Sequence, residues 1–245
     1  MNDIDMNNGP QRNDQSHSES GANSLPEQGG ARGAGSPEVL SVSADFIDEI
    51  ETERRTHDRS VRIFASERLE IDWLSNKAAR RLVSHLVGVL RSPPNRISAL
   101  GEDLGKSSRR QITRLRRRIG VAGFQFELIQ DLSVKENLEF PCILKRLPKQ
   151  QIKFLVEKIA SGLNLEYLLD EKVEYLGSAD KRMALIARAL THAPELFIGE
   201  SIEVGLDSGR RALVDSELKR MTLGGGAVLL FSQANSGKSE NQNRG

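Results

Sequence analysis

Two groups of polar side chains stand where chemistry is possible. Glu200 and Ser201 follow the compact apolar run Leu196-Phe-Ile198, and a carboxylate there can organise a cation or activate water, whereas serine has no basic group near neutrality and cannot be a general base. The second group is basic. Lys77, Arg80 and Arg81 open an apolar helical pattern, which suits either an anion held at a helix N-terminus or a merely solvated helix start. Gly105-Lys106-Ser107 and Gly237-Lys238-Ser239 look at first like pieces of a phosphate loop. Neither follows a buried strand or opens an apolar helix, and both lack the earlier glycine of that motif, so chance accounts for them.

From Gly105 to Gly120 the chain holds seven basic side chains and no acidic one. No aromatic residue is interleaved for base stacking, so a solvated surface is the favoured reading and nucleic acid is not expected as a partner. His57, His85 and His192 have no motif around them and read as bystanders. Cys142 is the only cysteine, which excludes an intramolecular disulfide, offers no metal site and fits a reducing compartment. With 35 basic against 34 acidic residues, no global field attracts polyanions. No run approaches the roughly 20 apolar residues of a membrane helix, and the polar N-terminus lacks the apolar core of a signal peptide. A cytoplasmic protein that reaches a membrane through partners is the expectation.

These side chains need elements to position them. Residues 1–37 are rich in Asn, Gln, Ser, Gly and Pro and cannot offset the entropy of ordering, so they read as a disordered tail, and 235–245 as a flexible one. Between them, Val39–Val42, Val61–Phe64, Arg68–Trp73 and Arg96–Leu100 are strand candidates, with a charged connector from Asp48 to Arg59. A helix fits Ala78–Leu90, where Leu82, Val83, Leu86, Val87 and Leu90 share one face and Ser92-Pro-Pro-Asn95 ends it. The pattern is mostly helical from about 128 to 180, with Ser133-Val-Lys-Glu136 resembling a capping box. Leu196–Ile198 and Ala227–Phe231 are apolar runs suited to a parallel sheet buried on both faces.

The order of these elements, with Leu115-Arg-Arg-Arg-Ile-Gly120, Leu132-Ser-Val-Lys-Glu-Asn-Leu138, Ala187-Arg-Ala-Leu190, Pro194 and Gly205-Leu206-Asp207, resembles an ABC transporter nucleotide-binding domain. The phrases are most similar to the bacterial ATPases of cell division, lipoprotein release and phospholipid trafficking. This resemblance implies an α/β, P-loop-NTPase-like ABC ATPase domain over 38–234, with a mostly parallel core sheet, N-terminal antiparallel strands and a helical insertion. It also implies dimerisation, with itself or with a second ABC ATPase, and docking on a membrane permease.

Positions that touch nucleotide in the resembled family depart from its pattern. Alignment places the phosphate loop at Trp73–Arg81 without either glycine, Ala79 at the lysine, and Arg80 and Arg81 at the hydroxyls that hold magnesium. Phe124 stands at the Q-loop glutamine with Gln125 one residue late, and Gln233 replaces the switch histidine. Glu200 takes the metal-organising aspartate position and Ser201 the catalytic glutamate; a one-residue shift instead makes Glu200 the catalytic glutamate and Gly199 the missing aspartate. The signature peptide reads Leu176-Gly177-Ser178-Ala179-Asp180, with its serine displaced. The resemblance therefore implies a degenerate subunit without a resident cofactor. ATP and magnesium bind only if Lys77, Gln125 and Glu200 stand in for the lost groups and support slow turnover.

Overall fold

The computed structural model describes residues 36–52, 59–123 and 126–232. Strands β1 (Glu38–Val42), β2 (Val61–Phe64), β4 (Ile97–Ala99) and β5 (Glu102–Asp103) form an antiparallel sheet in the order β2-β1-β4-β5. A second sheet is wholly parallel, ordered β3 (Arg68–Ile71), β8 (Ala227–Phe231), β7 (Leu196–Glu200) and β6 (Ile119–Ala122). Both sheets and a helical insertion are as the sequence predicts. No helix among the described residues is long and apolar enough to cross a membrane.

Strand β7 is buried at every residue, as is β8, and their side chains divide by parity, as a pleated strand requires. Leu196, Ile198, Ala227, Leu229 and Phe231 join a core with the antiparallel sheet and helices α1 (Ala44–Ile50), α2 (Asn76–Leu86) and α3 (Arg109–Arg116). Phe197, Val228 and Leu230 face the other way, into a core shared with α4 (Val134–Leu144), α5 (Lys149–Gly162), α6 (Ser178–Thr191) and α7 (Ser208–Leu223). The chain crosses the sheet from β3 to β6 and returns through β7 to β8. Right-handed connections in opposite directions put helices on opposite faces and open a crevice at the C-terminal strand ends.

Local chemistry sets the boundaries. Ser133 and Glu136 form the predicted capping box at α4. Asn137, fully buried, accepts from the Ile129 N–H at 2.8 Å and donates to the Ile129 and Ser133 carbonyls at 3.0 Å. That one amide fixes the segment entering the helical insertion. Several boundaries are corrected, strand β3 among them, which ends at Ile71 rather than Trp73. The connector from Asp48 is helical to Ile50, because Phe46, Ile47 and Ile50 bury one face of α1. Helix α2 begins at Asn76 rather than Ala78 and ends at Leu86, where Gly88 turns the chain at φ 66°. Strand β4 is limited to Ile97–Ala99, since Leu100 turns left-handed at φ 51°. The expected tails, apart from Ser36 and Pro37 of the first, lie outside the described residues.

Candidate functional site

At the C-terminal ends of β3, β6, β7 and β8 the chain presents Asp72, Gly123, Ser201 and Ser232, with Glu200 as the last residue of β7. This is the crevice where open α/β sheets bind ligands. Beside it runs the segment Trp73–Arg81, from which Arg80 reaches Glu200.

Only Trp73, Leu74 and Ser75 of that segment are loop; the helix has already begun at Asn76. Ser75 caps it, its hydroxyl accepting from the Ala78 N–H at 3.2 Å, which stabilises a helix start by about 1 kcal/mol. No residue from Asp72 to Arg81 has a positive φ, so the alternating backbone that gathers N–H groups into a phosphate nest is absent. The Ser75 N–H points instead at the buried Glu51 carboxylate, 2.6 Å away. A carboxylate of the chain itself thus takes a donor that a phosphate cradle would use. Trp73, at the first glycine position, lies under the Arg59 guanidinium, 5.2 Å from the ring centroid.

Ala79, where the resemblance requires a lysine, is 2% exposed and packs into the core with Ala78 and Leu82. Lys77 is exposed on the first turn. Arg80 and Arg81 diverge. Arg80 reaches across to β7, its Nε donating to Glu200 Oε1 at 3.1 Å. Arg81 acts along α2 on His85, whose pKa is lowered first by burial and then by the Arg81 charge.

Glu200 is 5% exposed and is backed by Gly123, where an added Cβ would stand 2.8 Å from the Glu200 Cβ. The glycine admits the carboxylate; the guanidinium neutralises it. Ser201 turns left-handed at φ 49°, and its N–H donates to the Phe231 carbonyl at 2.7 Å. That bond ties the end of β7 to β8. A cavity of about 240 Å³ beside them is lined by Ser201, Ile202, Val204, Phe231 and Ser232 among others.

A separate group joins the signature peptide to the Gly205-Leu206-Asp207 turn through Arg210. Gly177 is the N-cap of α6 and supplies no side-chain bond; Ser178 is the first helical residue. Displacement of the serine by one position therefore removes its hydroxyl from the cap. Ala179 packs against the core, and Leu176 is likewise half-buried against it. Asp180 pairs with Arg210 at 2.6 Å, and Arg210 also lies 3.5 Å from Asp207. Gly205 takes φ 78°, Leu206 is buried, and Asp207 caps α7 by accepting from the Arg210 N–H at 2.9 Å. That backbone bond, followed by the Arg210 charge, lowers the pKa of Asp207.

Arg80 and Glu200 are thus brought together, as are Asp180 and Asp207 through Arg210, while among the described residues no ion pair joins Lys77 or Arg81 to either pair. Phe124, Gln125 and Gln233 lie outside the described residues. Sequence reasoning misses Glu51, hidden in a run of charges, and Arg210. The latter carries a signal, standing three residues after Asp207 in the first turn of a helix.

The residues do not fit magnesium–ATP as the resembled family holds it. A guanidinium sits against the β7 carboxylate, no hydroxyl is offered at positions 80 and 81, and the loop lacks its nest. A cation beside Glu200 would have to displace Arg80.

No family model matches the chain. Among characterised proteins it is similar to methionine import ATP-binding protein MetN 1 of Bacillus thuringiensis subsp. konkukian (strain 97-27). Identity is 28% over 145 residues, covering 59% of the chain and 43% of that protein. It is also similar to macrolide export ATP-binding/permease protein MacB of Azoarcus sp. (strain BH72), at 26% identity over 206 residues, 82% of the chain and 31% of that protein. The chain thus matches less than half the length of these relatives. Its fold is shared with the ATP-binding cassette MJ0796, solved as a dimer with ADP and Pi, at TM-score 0.63 and 16% identity over 79% and 88% of the two chains. CbiO1 from Clostridium perfringens, part of the transporter complex cbiONQ, gives TM-score 0.61 at 21% identity over 80% and 78%.

Proposed function

We propose that the chain is an ABC transporter nucleotide-binding domain, a reading that sequence likeness and fold support, and a catalytically degenerate subunit of a transport complex. The complex belongs to the lipid-trafficking class that the sequence phrases resemble. The subunit is kept for assembly on a membrane permease and for pairing with an ABC ATPase. The observation that carries this reading is the Arg80–Glu200 ion pair. In the resembled family those two positions hold magnesium between a hydroxyl and a carboxylate; here a fixed cation neutralises the carboxylate from within the chain.

Two further features support it. Glu51 occupies the Ser75 N–H, and a carboxylate there repels an incoming phosphate by several tenths to a few kcal/mol at partly shielded distances. Ser201 supplies no base for water attack. Assembly features persist beside these losses. The Gly205-Leu206-Asp207 turn is formed, and α4 exposes Phe140, Ile143 and Leu144 at 44%, 56% and 50%, an apolar surface of the kind partners cover.

The test is calorimetric titration of the purified chain with ATP and magnesium at millimolar concentration, together with a phosphate-release assay. Neither saturable heat nor turnover is expected. Magnesium-dependent binding with turnover that Glu200→Gln abolishes would overturn the reading in favour of a divergent, slow ATPase.

A further inference from the structure

The basic segment that reads as solvated surface has a specific shape. On α3, Leu115 is buried and Gln111 and Ile112 are half-buried, which turns Arg109, Arg110, Thr113 and Arg114 outward, with Arg117 half-exposed just past the helix. Arg116 points the other way and donates through its Nη2 to the Gly88 carbonyl at 2.9 Å. It clamps the end of α2 to α3. The contact is close, since a Cβ added at Gly88 would fall 2.3 Å from the Ile112 side chain. The turn that follows, Val89-Leu90-Arg91, is held by the Val89 and Leu90 N–H groups donating to the Ser84 carbonyl. Val89 is 68% exposed and Leu90 42%. They line a cleft of about 610 Å³ together with Arg91, Arg109 and Thr113.

Among the described residues, no ion pair involves the side chains of Arg91, Arg109, Arg110, Arg114 or Arg117. Arg110 and Arg114 are one helical turn apart, and like charges at that spacing oppose helix formation. With an overall charge of only +1, this is a local concentration and not a property of the whole chain. An external polyanion relieves it, and guanidinium forks match phosphate oxygens. From Arg81 to Arg118 there is no Phe, Tyr or Trp on which bases could stack, while two exposed aliphatic side chains stand beside Arg91 and Arg109, at the edge of the arginine face. Basic residues flanking apolar ones are the composition of a bilayer-surface contact.

We propose that the outward face of α3, with Val89 and Leu90, is a docking surface for a membrane of phosphate-bearing anionic lipids. The arginines lie over the headgroups and the two aliphatic side chains enter the acyl boundary. This contact is separate from the nucleotide crevice and from the apolar face of α4, and it adds a direct lipid contact to attachment through a permease.

Sedimentation of the full chain with vesicles tests it without nucleotide, so its failure leaves the Arg80–Glu200 reading untouched. Binding is expected to vesicles of phosphatidylcholine mixed with phosphatidylglycerol, to fall with added salt, and to be absent with phosphatidylcholine alone. Each arginine near an anionic surface contributes about fivefold in partitioning, so Arg110→Gln with Arg114→Gln should weaken binding by roughly 25-fold. Val89→Ser with Leu90→Ser should weaken it several-fold at unchanged circular dichroism. Equal binding to neutral vesicles, or unchanged binding in either double variant, overturns the proposal. Full displacement by millimolar inorganic phosphate would assign a free-phosphate site instead, and tighter binding to short duplex DNA a nucleic-acid surface; both also overturn it.

Discussion

Arg80 and Glu200 depend on each other unequally. Glu200 is nearly inaccessible, whereas the Arg80 side chain is 47% exposed, so removing the arginine strands a buried carboxylate and removing the glutamate strands a charge that water can solvate. Arg80→Ser should cost about 1–3 kcal/mol, the upper end of which is reduced by the exposure of the guanidinium. Glu200→Gln should cost less, about 1 kcal/mol. Urea denaturation midpoints at constant slope provide the comparison, and an equal loss in both variants would contradict the asymmetry. The positions of both residues are legible in the sequence, because each falls in a recognisable phrase. Their pairing is not, since it spans 120 residues and the resemblance assigns a metal to the space between them. Glu51 is less legible still, as nothing in a charged connector marks which carboxylate is buried.

At the level of elements, a constraint set by backbone lies where β6 meets α6. A Cβ placed on Gly120 would fall 2.1 Å from the Ala189 carbonyl oxygen and 3.0 Å from the Pro194 ring. The oxygen belongs to a helix backbone and cannot rotate away. Gly120→Ala should therefore push strand from helix and cost about 3 kcal/mol or more, a loss that thermal unfolding followed by circular dichroism measures. The same strand leads into the crevice, so its displacement also moves Gly123 away from Glu200. The apolar strands β7 and β8 are readable from pattern alone, because burial on both faces imposes an unbroken hydrophobic run, whereas α6 is reached through the resemblance. Helix α1 is not, because Asp45, Asp48 and Glu49 mask the spacing of Phe46, Ile47 and Ile50. Strand β5 has only two residues, too few for any periodicity. The early start of α2 follows from Ser75, an N-cap that the expected phosphate loop obscures.

For the whole molecule, acid stability is set in part by His192, which lies under the helical insertion. Burial, followed by the nearby Lys145 charge, lowers its pKa to about 4. Lys145 donates through Nζ to the His192 carbonyl at 2.9 Å, so the positive charge is fixed beside the ring. An unfolded chain protonates this histidine near pH 6.5, before the folded one does. Stability from the neutral ring is therefore complete above about pH 6.5 and is lost as pH falls from there toward 4, by at most about 3 kcal/mol. His85 is shifted in the same direction. Urea denaturation between pH 7 and pH 4.5, approximately the window above carboxylate titration, should show a falling midpoint, with a shallower fall in His192→Gln. The order of the parallel sheet carries one more consequence. Strand β8 lies between β3 and β7, so Arg68 has its sheet neighbour at Val228, near the end of the described chain. During vectorial synthesis the ribosome must release nearly the whole domain before β3 gains its partner. Until then β3 and β7 each expose an unpaired edge, and nascent chains halted before Ala227 should engage chaperones and be cut readily by proteases, whereas chains extending past Phe231 should not.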